Sequence, residues 1–310
     1  MNFELSSDQL ALRDAARDLL DRLASPARVR AVVDAGGGYD RQLWQAMVEQ
    51  GWTDPDFVGV VEAAILLDEV GRHVAPAPFL TQWLAGGDEL TAVAWDLNAP
   101  VLYAPSATQL IARAGDDMRR IAIAHPSERE SAMDRTRELG WLRDANLGDG
   151  EVIGRADDFL DRAAVAFSAE LLGVSAKALE MSVDYAKVRE QFGKPIGSFQ
   201  AVKHRCADML VDVEGMRSAV YWAAWCVGAG DGDASIAAST AKAWCGDASR
   251  RVLASALQVH GGIGFTWEHD LHLYLKRAQL NQVSFGDAAF HRDRLADLLR
   301  HRVEAGESVI

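Results

Sequence analysis

The sequence predicts a mainly α-helical protein with a small β insert, built as a helical N-terminal segment over 1–90, a reduced middle β segment over 91–155 and a C-terminal helical bundle over 156–310. Three observations carry this. Apolar residues recur at helical spacing early in the chain, as in Leu10, Leu12, Ala16, Leu19, Leu20 and Leu23. Short apolar runs broken by turn residues replace that pattern in the middle, as expected of strands. Long helical patterns with short links then fill the second half, which is how an antiparallel bundle reads.

The elements follow in order. Ser6 and Gln9 stand at capping-box spacing and open the first helix. Ser25-Pro26 ends it, and Gly36-Gly37-Gly38 is a flexible break. A second helix spans Asp40 to Gln50, with Gly51 where a C-terminal glycine belongs. A third spans Val58 to Val70 and is closed by Gly71; a short one covers Ala75 to Ala85. Strands are expected at Ala92–Trp95, Val101–Ala104, Gln109–Arg113 and Arg120–Ala124, with Thr136–Leu142 a further candidate. Such a sheet is marginal alone, so it must pack on the helices. The bundle helices run from Asp157 to Val188, Phe199 to Val227, Ala234 to Val259, Glu268 to Gln282 and Asp287 to Arg302.

Bulk properties exclude several classes. The chain has 310 residues, enough for about two domains. It is 49% hydrophobic and 25% charged, ordinary for a soluble protein. The net charge of −13, with no Lys/Arg-dense run, argues against a nucleic-acid partner. Its basic residues are largely Arg, which suits a local phosphate site. Cys206, Cys226 and Cys245 are odd in number and far apart, so they read as reduced thiols of a cytoplasmic protein. No signal-peptide pattern opens the chain, and the longest apolar stretch, Ala219–Ala229, is too short to span a bilayer.

Two stretches carry more chemistry than a connector needs. The first runs from Tyr185 to Met209 and breaks between helices at Arg189, Gln191, Phe192, Gly193, Lys194, Pro195, Gly197 and Gln200. A plain helix–helix turn needs a glycine or a proline and little else. The second is Gln258-Val259-His260-Gly261-Gly262-Ile263-Gly264. Its glycines leave backbone N–H groups open to an anion. No strand precedes it, so it is not a Rossmann fingerprint, and alone it also reads as a plain helix C-cap and loop.

Together the two patterns resemble the acyl-CoA dehydrogenase family. The carriers are Tyr-x-x-x-Arg-x-Gln-Phe-Gly-x-Pro-Ile-x-x-Phe-Gln-x-x-Lys-His-x-x-Ala-Asp-Met from Tyr185, and Gln-Val-His-Gly-Gly-Ile-Gly-Phe-Thr-Trp-Glu-His-Asp-Leu-His-Leu-Tyr from Gln258. The resemblance is strongest over 165–282. It implies a helical–β–helical fold, FAD as cofactor and an acyl-CoA thioester as substrate. It implies further that a glutamate takes the α-proton while the β-hydrogen leaves as hydride to the flavin. The family shares its FAD site between subunits. Arg189, Phe192, Gln200, Gln258, Val259, His260, Gly261 and Gly262 are thereby expected to hold the adenine-diphosphate half of an FAD whose flavin lies in a neighbouring subunit. The chemistry agrees, since Arg189 can pair with phosphate, Phe192 can pack on adenine and the Gly261-Gly262 backbone can approach a pyrophosphate.

The sequence also departs from the family. Thr53-Asp54-Pro55-Asp56-Phe57 stands where a Gly-rich loop usually follows Gly51-Trp52. The β insert is short and lacks the Thr-Glu and Gly-Ser-Asp segments that hold the flavin and cover the thioester. The catalytic glutamate's position is occupied by Phe285, in Ser284-Phe285-Gly286-Asp287, and phenylalanine cannot take a proton. A second base position used in the family aligns with Ala163. Glu170 lies two turns further along the same helix face, about 10 Å away. In its apolar setting a raised pKa would make it a base; the alternative is a structural glutamate bonded to a neighbouring helix. His260, His269 and His272 lack a third ligand at metal spacing, so no metal is expected.

These features lead to a small subunit of a heteromeric enzyme. It resembles the α2β2 acyl-CoA dehydrogenases that actinobacteria use on steroid side-chain CoA thioesters. A full-length paralogue would then supply the flavin cradle and the base. A compact homo-oligomer using Glu170, and a non-catalytic scaffold, are the alternatives.

Overall fold

The computed structural model describes residues 4–306 and Ser308. Helix α1 (Ser7–Leu23) starts in the expected capping box: Ser6 Oγ accepts the Gln9 N–H at 3.2 Å, and Gln9 Oε1 accepts the Ser6 N–H at 3.1 Å. Ser25-Pro26 ends α1 and also begins α2 (Pro26–Asp34), a helix that the sequence pattern does not announce. Proline in a first turn loses no hydrogen bond, so a stop signal doubles as a start. Helix α3 (Arg41–Glu49) is capped by the Asp40 carboxylate, which accepts the Gln42 and Leu43 N–H groups. Gly51 follows it at φ +77°.

Helices α4 (Val60–Arg72) and α5 (Phe79–Ala85) complete the N-terminal part. Gly71 corrects an expectation: it lies inside α4, not at its end. A Cβ on Gly71 would stand 2.3 Å from the Glu170 carbonyl oxygen, and one on Gly173 would stand 1.9 Å from that of Asp68. The two glycines let α4 and α6 (Ala156–Val188) cross backbone to backbone.

The main sheet has the order β1-β3-β4-β6, from β1 (Thr91–Ala94), β3 (Gln109–Ala114), β4 (Asp117–Ala122) and β6 (Glu151–Arg155). β1 is parallel to β3, and the other pairs are antiparallel. β2 (Val101–Leu102) and β5 (Leu139–Gly140) pair separately, so the expected strand at Thr136–Leu142 shrinks to two residues. Alternation sorts the sheet's faces. Ala92, Ala94, Leu110 and Ala112 form a small core of their own, while Val93, Ile111 and Met118 join the main core with the helices.

After α6 the chain makes a hairpin of β7 (Glu190–Gln191) and β8 (Lys194–Pro195), then a short 3-10 turn at Ile196–Ser198. Helices α7 (Gln200–Ala229), α8 (Ala234–His260), α9 (Leu271–Val283) and α10 (Ala288–Glu304) follow, with a 3-10 turn Gly261–Phe265 between α8 and α9. α6 is the central post of the bundle. α7 buries a narrow stripe, Met209, Val213, Met216, Val220, Ala223, Ala224 and Cys226, and leaves Leu210 and Val211 exposed. Among the described residues, no helix is long and apolar enough to cross a membrane.

Candidate cofactor half-site

The hairpin after α6 builds the first half of the site. Phe192 and Gly193 form its two-residue loop with φ of +53° and +76°, the signs a type I′ turn requires. Glycine adopts this freely and phenylalanine does not. Phe192 is nonetheless held there, 91% exposed, with its ring edge to face with Phe199 at 6.1 Å between centroids. Arg189 caps α6: its N–H donates to Tyr185 O and its carbonyl accepts the Ile196 N–H, each at 2.8 Å. Its side chain is exposed and has no ion pair among the described residues. Gln200 opens α7 and is also exposed.

The second half is the turn after α8. Tyr185, one turn before Arg189, stacks on His260 with centroids 4.7 Å apart, and His260 lies 4.6 Å from His269. The fold thus joins the two stretches that the sequence singles out. Burial lowers the His260 pKa, so the ring is neutral, and Nδ1–H donates to Ala256 O at 2.8 Å. Val259 is buried, which leaves its backbone alone to face a ligand, while Gln258 is exposed. Gly261 has φ +62°, and a Cβ at Gly261 or Gly262 would meet nothing within 4 Å. Both glycines therefore front open space. The turn sits at a helix C-terminus, where the dipole is negative, so an anion placed there would need a cation such as Arg189. An exposed guanidinium, two bare glycines and two free amides fit that group. No cluster of three His, Cys, Asp or Glu among the described residues has metal-binding geometry.

The positions expected to be catalytic look different. Phe285 sits at φ +55° and is 7% exposed. Its ring stacks on Phe167 and packs near Phe159 and Trp95, with centroids 5.4, 6.1 and 6.3 Å away. The adjoining cavity, about 310 Å³, is lined by Val93, Trp95, Leu102, Phe167, Leu280 and Phe285 among others. Its one carboxylate, Asp96, is exposed and accepts from Asn98. Lys242, which the sequence reading passes over, fixes this turn. Its buried ammonium donates to Gln282 O at 2.9 Å and Gly286 O at 2.7 Å, and burial pushes its pKa down to about 7.

Glu170 reverses the expectation of a raised pKa. It is fully buried, with Oε1 accepting from Arg277 at 2.5 Å and Oε2 paired with Arg137. Burial alone would raise its pKa, but the two guanidiniums outweigh that and hold it below the usual carboxylate range. Arg277 also reaches Asp134 and Thr136, and Arg137 donates to Asn281 at 2.8 Å. The network ties α6 to α9 and to the segment before β5. One signal for it was readable: Arg277 and Asn281 share a face of α9 with Leu273, Tyr274 and Ala278.

Residues 153–299 match the model of the acyl-CoA dehydrogenase C-terminal domain. Acyl-CoA dehydrogenase IpdE2 of Mycobacterium tuberculosis is 34% identical over 293 residues, covering 86% of this chain and 89% of that one. The chain belongs to the acyl-CoA dehydrogenase family. Its fold agrees. A chain of the Tcur3481-Tcur3483 steroid ACAD G363A variant superposes with a TM-score of 0.83 at 26% identity, over 96% of this chain and 99% of that one. A chain of the ChsE4-ChsE5 complex from Mycobacterium tuberculosis shares the fold, with a TM-score of 0.82 at 24% identity over 97% and 99% of the two chains. The acyl-CoA dehydrogenase match at 153–299 contains the hairpin, the glycine turn and Phe285.

Proposed function

We propose that this chain is the small subunit of a heteromeric FAD-dependent acyl-CoA dehydrogenase, which it completes by donating the adenine-diphosphate half-site. The observation that carries this reading is Phe285. The family's base position is filled by a ring locked among Phe159, Phe167 and Trp95, while the corner from Arg189 to Gly262 stays open and equipped. A bound FAD supplies the hydride acceptor for α,β-dehydrogenation of an acyl-CoA. In this chain Arg189 would offer the positive charge for the diphosphate, Gly261 and Gly262 would leave the backbone open to it, and Phe192, Gln200 and Gln258 would hold the adenine end. A full-length paralogue supplies the flavin cradle and the proton-abstracting carboxylate. The Glu170 ion pairs weigh against a self-sufficient enzyme using that residue as base. Likeness to a steroid acyl-CoA dehydrogenase supports a steroid side-chain CoA thioester as substrate, handled in the cytoplasm.

Purifying the chain alone and co-expressed with a full-length paralogue tests this. Flavin and turnover are expected only in the complex, and Arg189→Ala in this subunit should strip flavin from it. A yellow, active homomer of this chain would overturn the reading.

A further inference from the structure

Three arginines from different elements converge on a pocket of about 320 Å³ between α5, the sheet and the start of α6. Arg120 comes from β4, Arg155 from the end of β6 and Arg162 from the second turn of α6. Arg120 and Arg162 are half-buried and Arg155 is exposed, whereas the more deeply placed arginines have carboxylates: Arg137 and Arg277 share Glu170, and Arg294 has Asp161. Arg120, Arg155 and Arg162 have no ion pair among the described residues. Arg120 donates to Ala85 O at 2.9 Å and Arg162 to Trp83 O at 3.3 Å, both backbone carbonyls. Arg120 Nε is buried and has no partner. Arg162 lies 4.9 Å over the Trp83 ring, and burial depresses its pKa with no acidic neighbour opposing the shift.

Removing guanidinium charge from water without a counter-ion is costly, and folded proteins rarely tolerate it. It is less expected still in a chain of net charge −13, which has carboxylates to spare. The same pocket receives the N-terminus of α6, a 33-residue helix with no side-chain cap. The Ala156 N–H is bonded to Asp116 O at 2.8 Å and the first turn carries Asp157 and Asp158, so the helix dipole adds only modestly to the attraction of the arginines for an anion. Asp158 is the only acid in the lining, and it is exposed at the rim.

We propose that this pocket binds a phosphate group, either as the free ion or as a phosphomonoester, with Arg120 and Arg162 as inner ligands and Arg155 closing the outside. Guanidinium forks match tetrahedral oxyanions, and the volume admits one phosphate with part of an ester. Such an ion would bridge α5, the sheet and α6.

The full chain is titrated with inorganic phosphate, and separately with adenosine 3′,5′-bisphosphate, at ionic strength matched by chloride. Calorimetry and Tm follow binding. A saturable heat and a rise in Tm are expected. Arg162→Gln should weaken binding at least tenfold, and Asp158→Asn, which removes the opposing charge, should tighten it several-fold. A gain in Asp158→Asn cannot come from misfolding. Tighter binding of the bisphosphate supports the ester as occupant, and equal binding supports the free ion. No saturable response to either probe, or a response unchanged in both variants, overturns the proposal.

Discussion

The ring of Phe285 stacks on that of Phe167, with centroids 5.4 Å apart and planes 29° from parallel. Restoring an acid there therefore does not restore a base. Phe285→Glu buries a carboxylate among three aromatic rings, at a cost of about 3 kcal/mol or more at pH 7. Burial raises the new acid's pKa, so the folded form takes up a proton more readily and the deficit shrinks as pH falls. Thermal melts of variant and parent at pH 7.5 and 5.5 read both effects. An equal Tm difference at the two values would count against this packing.

Glu170 should prove to be a stability residue. Glu170→Gln leaves Arg137 and Arg277 without their shared counter-charge, a loss of about 3 kcal/mol or more. Denaturant unfolding measures this directly. In the assembled enzyme, turnover per folded complex should stay near the parent value. A variant of full stability and no turnover would restore Glu170 as the base.

The helix crossing offers a steric test. Gly173→Ala forces a methyl against the Asp68 carbonyl, and Gly71→Ala does the same against Glu170. Each should cost about 2 to 3 kcal/mol in spite of alanine's better helix propensity. Gly232→Ala, where the added Cβ meets nothing within 4 Å, serves as the control. Equal melting temperatures for all three would show that the helices do not cross this closely.

Lys242 predicts a pH trend. Its folded pKa, near 7, lies below the ordinary 10.5. The unfolded chain therefore binds more protons between those values, and this residue's contribution to stability rises with pH across that window. Lys242→Met removes the rise and also loses the bonds to Gln282 and Gly286. The Tm difference between parent and variant should widen from pH 7 to 9. A constant difference would mean that the amine titrates normally.

Much of this was legible in the sequence because it rests on local signals. The Ser6–Gln9 capping box, the bundle helices and the two family motifs all announce themselves through neighbouring residues. The misses share a cause. The start of α2 hid inside a stop signal. Gly71 reads as a helix end until Gly173, a hundred residues away, is seen against the same crossing. The Glu170 context Phe167-Ser168-Ala169-Glu170-Leu171-Leu172 gives no hint of Arg137 and Arg277, which arrive from distant segments and reverse its expected acidity. Lys242 likewise acquires its role only when the turn after α9 folds over it. Alternation marks a strand but not its partners, so β6 is not evident from the pattern and the strand expected at Thr136–Leu142 is longer than the two residues that pair.

The Gly71–Gly173 crossing also governs how the chain comes apart. It seats α4 on α6, and the resulting apolar core runs without a gap from α1 to the turn after α9. The N-terminal helices are thus no detachable module, and cutting the chain before the sheet would strip α6 of one wall. Heating should melt the first helices and the bundle in a single cooperative step. Short loops and a small sheet leave that cooperative unit whole, so the hairpin and the glycine turn are held in register by the same core that seats α4 on α6.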